Sequence, residues 1–182
     1  MSATQDLQIN LLPWQQKVWT DKSRFKVVAA GRRTGKTRLA ASLLLVKALS
    51  SKNGKVFYVA PTQGQARDIM WDTLNLKLIN GATISLKGSD RPETMRGVSL
   101  SYVVLDEFAD FKPEVWELIL RPSLADLKGS ALFIGTPMGR NHFYDLYSEA
   151  LAGKLEDYNA WHFTSYDNPL IDPTEIDSAK RT

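Results

Sequence analysis

Cysteine is absent from the 182 residues, and histidine occurs only at His142 and His162. The first absence excludes a disulfide scaffold and any Cys-ligated zinc site, and the second excludes a multi-histidine metal centre. No apolar run approaches the ~18 to 20 residues that cross a bilayer. Met1 to Leu12 lacks the basic-then-apolar pattern of a signal peptide. Internal repeats and low-complexity segments are missing too. At 43% hydrophobic and 24% charged residues, the chain is too apolar for a disordered segment and too polar for a membrane protein. A soluble, cytosolic domain with a core of its own is expected.

The formal net charge is only +3, unevenly spread. Residues 1–60 carry eleven Lys and Arg against Asp6 and Asp21, whereas residues 61–182 carry twelve against eighteen Asp and Glu. A basic first third suits phosphate, in a nucleotide or a nucleic acid, or is an ordinary solvated face. Lys22, Arg24 and Lys26 are candidates for a nucleic-acid backbone. Trp14, Trp19, Trp71, Trp116 and Trp161 are scattered and suit a core or an interface better than base stacking.

Short apolar runs alternate with helical spacing, the pattern of a βαβ layered domain. Phe25–Ala30, Lys55–Ala60, Ala82–Leu86, Ser101–Leu105, Ala131–Gly135 and Tyr158–Phe163 read as strands. Helices are expected from Lys36, over Gln63–Leu74, from Pro113 to Leu120, and from an Asn141 cap to about Leu151. Strands this apolar, separated by helices, form a mostly parallel sheet covered on both faces. Ligands of such sheets bind beyond the carboxyl ends of the strands. The loops at 30–37, 60–62, 106–107 and 135–137 should therefore converge on one edge.

The first of these loops reads Ala30-Gly31-Arg32-Arg33-Thr34-Gly35-Lys36-Thr37, between a strand and a helix. It fits G-x-x-x-x-G-K-[ST], the Walker A pattern, except that Ala30 replaces the first glycine. Small residues let backbone N–H groups wrap a nucleotide's β- and γ-phosphates, and the helix N-terminus adds its dipole. Lys36 supplies a point charge to the phosphates, and Thr37 supplies a hydroxyl to Mg²⁺. The strand SYVVL runs into Asp106-Glu107, the Walker B position. Asp106 would hold the ion, directly or through water, and Glu107 would polarise the attacking water. Asp110 and Glu114 follow closely, so an acidic helix start is the alternative. Paired carboxylates beside a phosphate loop favour hydrolysis over binding alone.

With both loops in place, the chain resembles the ATPase half of a large terminase subunit from a tailed bacteriophage, a family that packages double-stranded DNA. The resemblance rests on LLPWQQKV (11–18), AGRRTGKT (30–37), YVAPT (58–62), LDEF (105–108) and IGTP (134–137), in that order. It implies a P-loop NTPase three-layer sandwich of the ASCE type, with ATP and Mg²⁺ as ligands. By the same resemblance Gln15 reads the adenine edge, or is an exposed polar residue near Trp14. Arg32 or Arg33 senses the γ-phosphate, with Gly31, Thr34 and Gly35 completing the loop. Thr136 couples nucleotide state to movement, or caps a strand end. Arg96, in a segment like the family's S-L-R-G, is a candidate arginine finger acting on a neighbouring subunit, with Arg91 and Arg140 as rivals.

The resemblance further implies a homo-oligomeric ring, pentameric on the capsid, with the portal protein and small terminase subunit as partners. The setting would be the host cytoplasm during virion assembly. Two departures stand out. The connection at 75–81 is short for the family. The chain also stops at Thr182, where terminases continue into a nuclease domain. Residues 1–166 are thus expected to form the ATPase domain and 167–182 the start of a linker, with no nuclease activity from this polypeptide. Rival readings are a helicase-like translocase and a nucleotide-gated binding module without turnover.

Overall fold

The computed structural model describes residues 8–70 and 75–179. In chain order the elements are α1 (Pro13–Thr20), β1 (Phe25–Ala30), α2 (Lys36–Ser50), β2 (Lys55–Ala60), α3 (Gln63–Met70), β3 (Asn75–Lys77), β4 (Thr83–Gly88) and β5 (Tyr102–Asp106). There follow α4 (Pro113–Val115), a π-helical stretch (Trp116–Leu120), α5 (Arg121–Ser123), β6 (Ser130–Gly135), α6 (His142–Leu151), β7 (Tyr158–Phe163) and α7 (Pro173–Ala179). The strands form one seven-stranded sheet in the order β3-β4-β2-β5-β6-β1-β7. Every neighbouring pair is parallel except β3–β4.

Alternation along the strands sorts the core into two layers. Val28 and Ala30 of β1 face a cluster holding Leu39, Leu43 and Leu44 of α2, Ala66 of α3 and Trp14 of α1. Phe25, Val27 and Ala29 face a second cluster holding Val115, Trp116 and Ile119 of the α4–α5 rod and Phe143 of α6. β1 and β5 flank β6, so the phosphate-loop strand and the Asp-Glu strand lie one strand apart. Asp106 pairs in register with Ile134, and Ala29 with Gly135.

Three departures from the sequence reading have local causes. α1 has only Trp14 and Val18 as periodic apolar residues, too few to announce a helix, although Pro13 occupies its first turn. The short 75–81 connection contains β3, a three-residue edge strand antiparallel to β4. Residues 71–74, on which part of the expected helix 63–74 and Trp71 fall, lie outside the described residues. In the 167–182 stretch, a 3-10 turn at Ser165–Asp167 precedes α7.

Candidate active site

Because β1, β2, β5 and β6 are parallel, their carboxyl ends share one edge, and the loops beyond them meet there. The loop after β1 is gripped from both sides. From α1, the Trp14 indole Nε1 donates to Thr34 O at 3.1 Å, and Gln15 Nε2 donates to Gly35 O at 2.9 Å. From the turn after β7, Ser165 Oγ donates to Arg32 O at 2.9 Å, and Asn168 Nδ2 donates to Arg33 O at 2.8 Å. Four consecutive carbonyls, 32 to 35, thus point at donors outside the loop. A peptide's N–H lies opposite its C=O, so the next N–H groups are turned away from these donors and left for a ligand. Arg33 (φ 58°) and Gly35 (φ 98°) take the left-handed backbone this curl needs. At Gly35 a Cβ would also lie 2.9 Å from Gln15 Nε2 and would displace that amide from the loop.

Lys36 projects into the same edge. Its Nζ donates to Ala30 O at 3.0 Å and to Thr136 Oγ1 at 2.5 Å, and stands 3.3 Å from Glu107 Oε1. Glu107 is held by Thr136, whose N–H donates to Oε2 at 2.9 Å. Glu107 itself sits in left-handed backbone (φ 50°), where its side chain swings back over β6. Gly135 makes room, since a Cβ there would come within 3.3 Å of the Glu107 Cα. Asp106 lies beneath, 4% exposed. Its Oδ1 accepts from Glu107 N at 3.0 Å and its Oδ2 from the Tyr58 hydroxyl. Burial, with help from the neighbouring Glu107 charge, pushes the Asp106 carboxyl above the ordinary range, despite the Tyr58 hydrogen bond and Lys36. Burial and the adjacent Asp106 raise the Tyr58 hydroxyl well above its usual range, so it stays a donor.

The predicted residues do not all converge. Gly31, Thr34, Gly35, Lys36, Thr136, Asp106 and Glu107 meet at the edge, and Thr37 opens α2 beside them with an exposed side chain. The Gln15 amide is engaged with the loop and with Leu12 N, whose N–H it accepts at 2.8 Å. The Arg32 and Arg33 side chains are exposed, while their carbonyls are the clamped atoms. Arg96 stands apart, exposed, paired with Glu93 at 2.8 Å and lining a groove with Leu118, Ser123 and Asp126. Arg91 is exposed, and Arg140 lies over the Tyr144 ring. Two of the basic residues considered for nucleic acid are committed elsewhere. Buried Lys26 donates to Val18 O and Asp21 O at the end of α1, and Arg24 donates to Gly129 O and Leu124 O.

Sequence reasoning missed four residues that shape the site. Tyr58 reads as one more apolar strand residue. Ser165 and Asn168 reach the loop across more than 130 positions. His142 Nε2 lies 2.8 Å from Phe108 O, tying α6 to the residue after Glu107. Its ring also meets Phe108 edge-on, centroids 4.8 Å apart.

Residues 27–181 match the family described as terminase large subunit, T4likevirus-type, N-terminal. The chain belongs to that family. The large terminase subunit of Escherichia phage T5 is 30% identical to this terminase domain over 182 residues, covering 88% of the chain and 41% of that protein. The one from Thermus phage G20c is 25% identical, covering 84% and 42%. The domain thus spans about two-fifths of these relatives' length. The large terminase ATPase domain of Thermus phage P74-26 superposes with a TM-score of 0.78 at 21% identity, covering 97% of this chain and 87% of that one. The large terminase of the thermophilic bacteriophage D6E, solved in complex with ADP, gives 0.78 at 18%, covering 94% and 50%. A Hef helicase domain from Pyrococcus furiosus gives 0.57 at 14%, covering 84% and 38%. The fold of this terminase domain is that of a P-loop NTPase. No helix among the described residues is long and apolar enough to cross a membrane.

Proposed function

We propose that this terminase domain is the Mg²⁺-dependent, ATP-hydrolysing motor of viral genome packaging, driving double-stranded DNA into a procapsid. The observation that carries the reading is the contact of Lys36, Glu107 and Thr136 at the edge that the curled loop also reaches. The residues fit ATP and Mg²⁺: the loop N–H groups and Lys36 are donors suited to phosphate, and Asp106 is a carboxylate buried at the same edge, whose charge a cation beside it would offset. Thr37 and Asp106 would hold the ion, which spreads the charge building on the phosphate oxygens. Lys36 would leave Glu107 for the phosphates, and Glu107, released, would accept the hydrogen bond of the attacking water. Thr136 touches both side chains, so it registers the exchange. Catalysis of this kind is mainly electrostatic positioning.

The reading assigns Arg32 or Arg33 to the γ-phosphate and Arg96 to a neighbour's site in a homo-oligomeric ring; Gln15, expected at the adenine edge, is instead fully buried with both amide atoms bonded and braces the loop. That ring, pentameric on the capsid, would work with the portal protein and small terminase subunit in the host cytoplasm, outside the mature virion. No nuclease chemistry is assigned to residues 1–182. Phosphate release with and without DNA is the decisive measurement. Mg²⁺-dependent release, lost in Lys36→Ala together with nucleotide binding, supports the motor. Nucleotide binding without release would instead favour a gated binding module.

A further inference from the structure

We infer that the groove between β2, β4 and β3 and the 92–98 segment is a contact surface for the phosphate backbone of duplex DNA. The inference rests on the packaging reading and assigns the DNA-contacting residues within it. Between Asp21 and Asp68 the chain has no acidic residue, and none between Asp72 and Asp90. The second half of α2, β2, β3 and β4 fall within these two stretches, so the fold brings acid-free segments together at one end of the sheet. Lys55, Lys77 and Lys87 line a single groove of about 310 Å³ there, with Thr83 and Thr94 and no carboxylate. An adjoining groove shares Lys77 and adds Lys52, again without a carboxylate.

The register spaces these charges. Lys55 pairs with Thr83, and Thr83 with Lys77, so the two lysines flank one residue across three strands, about 10 Å apart at the backbone. Lys87 pairs with Val59, four residues farther along β4, about 13 Å from that row. Such spans are comparable to the ~12 Å width of a major groove. Phe57 forms part of the floor, and Lys87 Nζ lies 5.4 Å from its ring centroid. α3 cannot cover this face, because its Ala66 packs with Tyr58, Ile84 and Leu86 on the opposite one. None of the ion pairs among the described residues involves these lysines. Elsewhere, Arg24 and Lys26 are bound to backbone carbonyls, and Lys36 lies at the nucleotide edge.

The test is binding of a short fluorescent DNA duplex to the full chain by anisotropy, at about 50 and 200 mM salt. Lys55→Gln, Lys77→Gln and Lys87→Gln are combined in one variant. A control combines Lys112→Gln, Lys128→Gln and Lys154→Gln, which removes equal charge from exposed positions elsewhere. The surface variant should bind at least about tenfold more weakly, with a log–log salt slope shallower by about 3. The control should stay within about twofold of the parent. Equal losses in both variants, an unchanged slope, or no duplex binding by the parent chain would overturn the inference. DNA-independent ATP hydrolysis should be unchanged in the surface variant. Absence of hydrolysis in the parent would sink the motor reading, whereas loss confined to the variant would mean misfolding; single substitutions then decide the surface.

Discussion

Replacing Glu107 by Gln separates nucleotide binding from turnover. The Glu107 carboxylate pairs with Lys36, 3.3 Å away, with the Lys36 side chain 11% and that of Glu107 33% exposed. Coulomb's law at an effective dielectric of about 20 gives roughly 5 kcal/mol of gross attraction at that distance. Partial exposure and the exchange for hydration reduce the net to about 1 to 2 kcal/mol. The phosphates must displace this pairing before they can use Lys36. The amide keeps the shape and can still accept from Thr136 N, but carries no charge to hold the lysine. Affinity for a slowly hydrolysed ATP analogue should therefore rise by about tenfold, since ~1.4 kcal/mol corresponds to a factor of ten. Phosphate release should fall by about 10² to 10⁴, the usual contribution of a general base. Calorimetric titration with the analogue and a phosphate-release assay read the two effects on one preparation. Weaker nucleotide binding in the variant would refute the competition between carboxylate and phosphate. Retained turnover would remove Glu107 from the chemistry.

The remaining predictions concern the groups that hold the site. His142→Phe keeps an aromatic ring against Phe108 but loses the donor to Phe108 O, so kcat should drop about tenfold with nucleotide affinity unchanged, for one lost hydrogen bond. His142→Gln should recover part of that loss; equal kcat in both variants would mean that the ring, not the hydrogen bond, matters. Gln15→Ala frees the Gly35 carbonyl and the Leu12 N–H together, and should weaken nucleotide binding by about tenfold while lowering stability by about 1 kcal/mol in urea titrations. Asp21 resists burial through hydrogen bonds from Ser23 and Asn159 and the charge of Lys26, leaving its carboxyl below the ordinary range. Its stabilising contribution is complete above the unfolded-state value, near the reference of 3.8, and is lost as pH falls through the lower folded value. Asp21→Asn should accordingly flatten the acid limb of Tm against pH; an unaltered limb would contradict the sign.

Much of this terminase domain was written locally. The strands Phe25–Ala30, Lys55–Ala60 and Tyr158–Phe163 end where turn residues or a proline stop an apolar run, and each is found at those bounds. Asn141 caps α6 as its side chain requires, accepting from Phe143 N and Tyr144 N. The loop 30–37 and the Asp106-Glu107 pair are legible because phosphate and metal chemistry demand particular residues at fixed spacing, within one turn of backbone. What lay beyond the sequence was every relation set by distant partners. The capture of the four loop carbonyls by Trp14, Gln15, Ser165 and Asn168 depends on α1 and the turn after β7 arriving on two sides of one strand. The Tyr58 bond to Asp106 and the Lys36–Glu107 pair depend on strand order, which brings side chains 48 and 71 positions apart into contact. Charge was legible in amount but not in placement. Lys26 and Lys55 look alike in the sequence, and only packing buries one beneath α1 and leaves the other exposed at the start of β2. Local propensity and motif chemistry act within a few residues, so the sequence could name the loops and the reacting groups. Which of those groups touch, and which charges stay exposed, follows from long-range packing that no local pattern encodes.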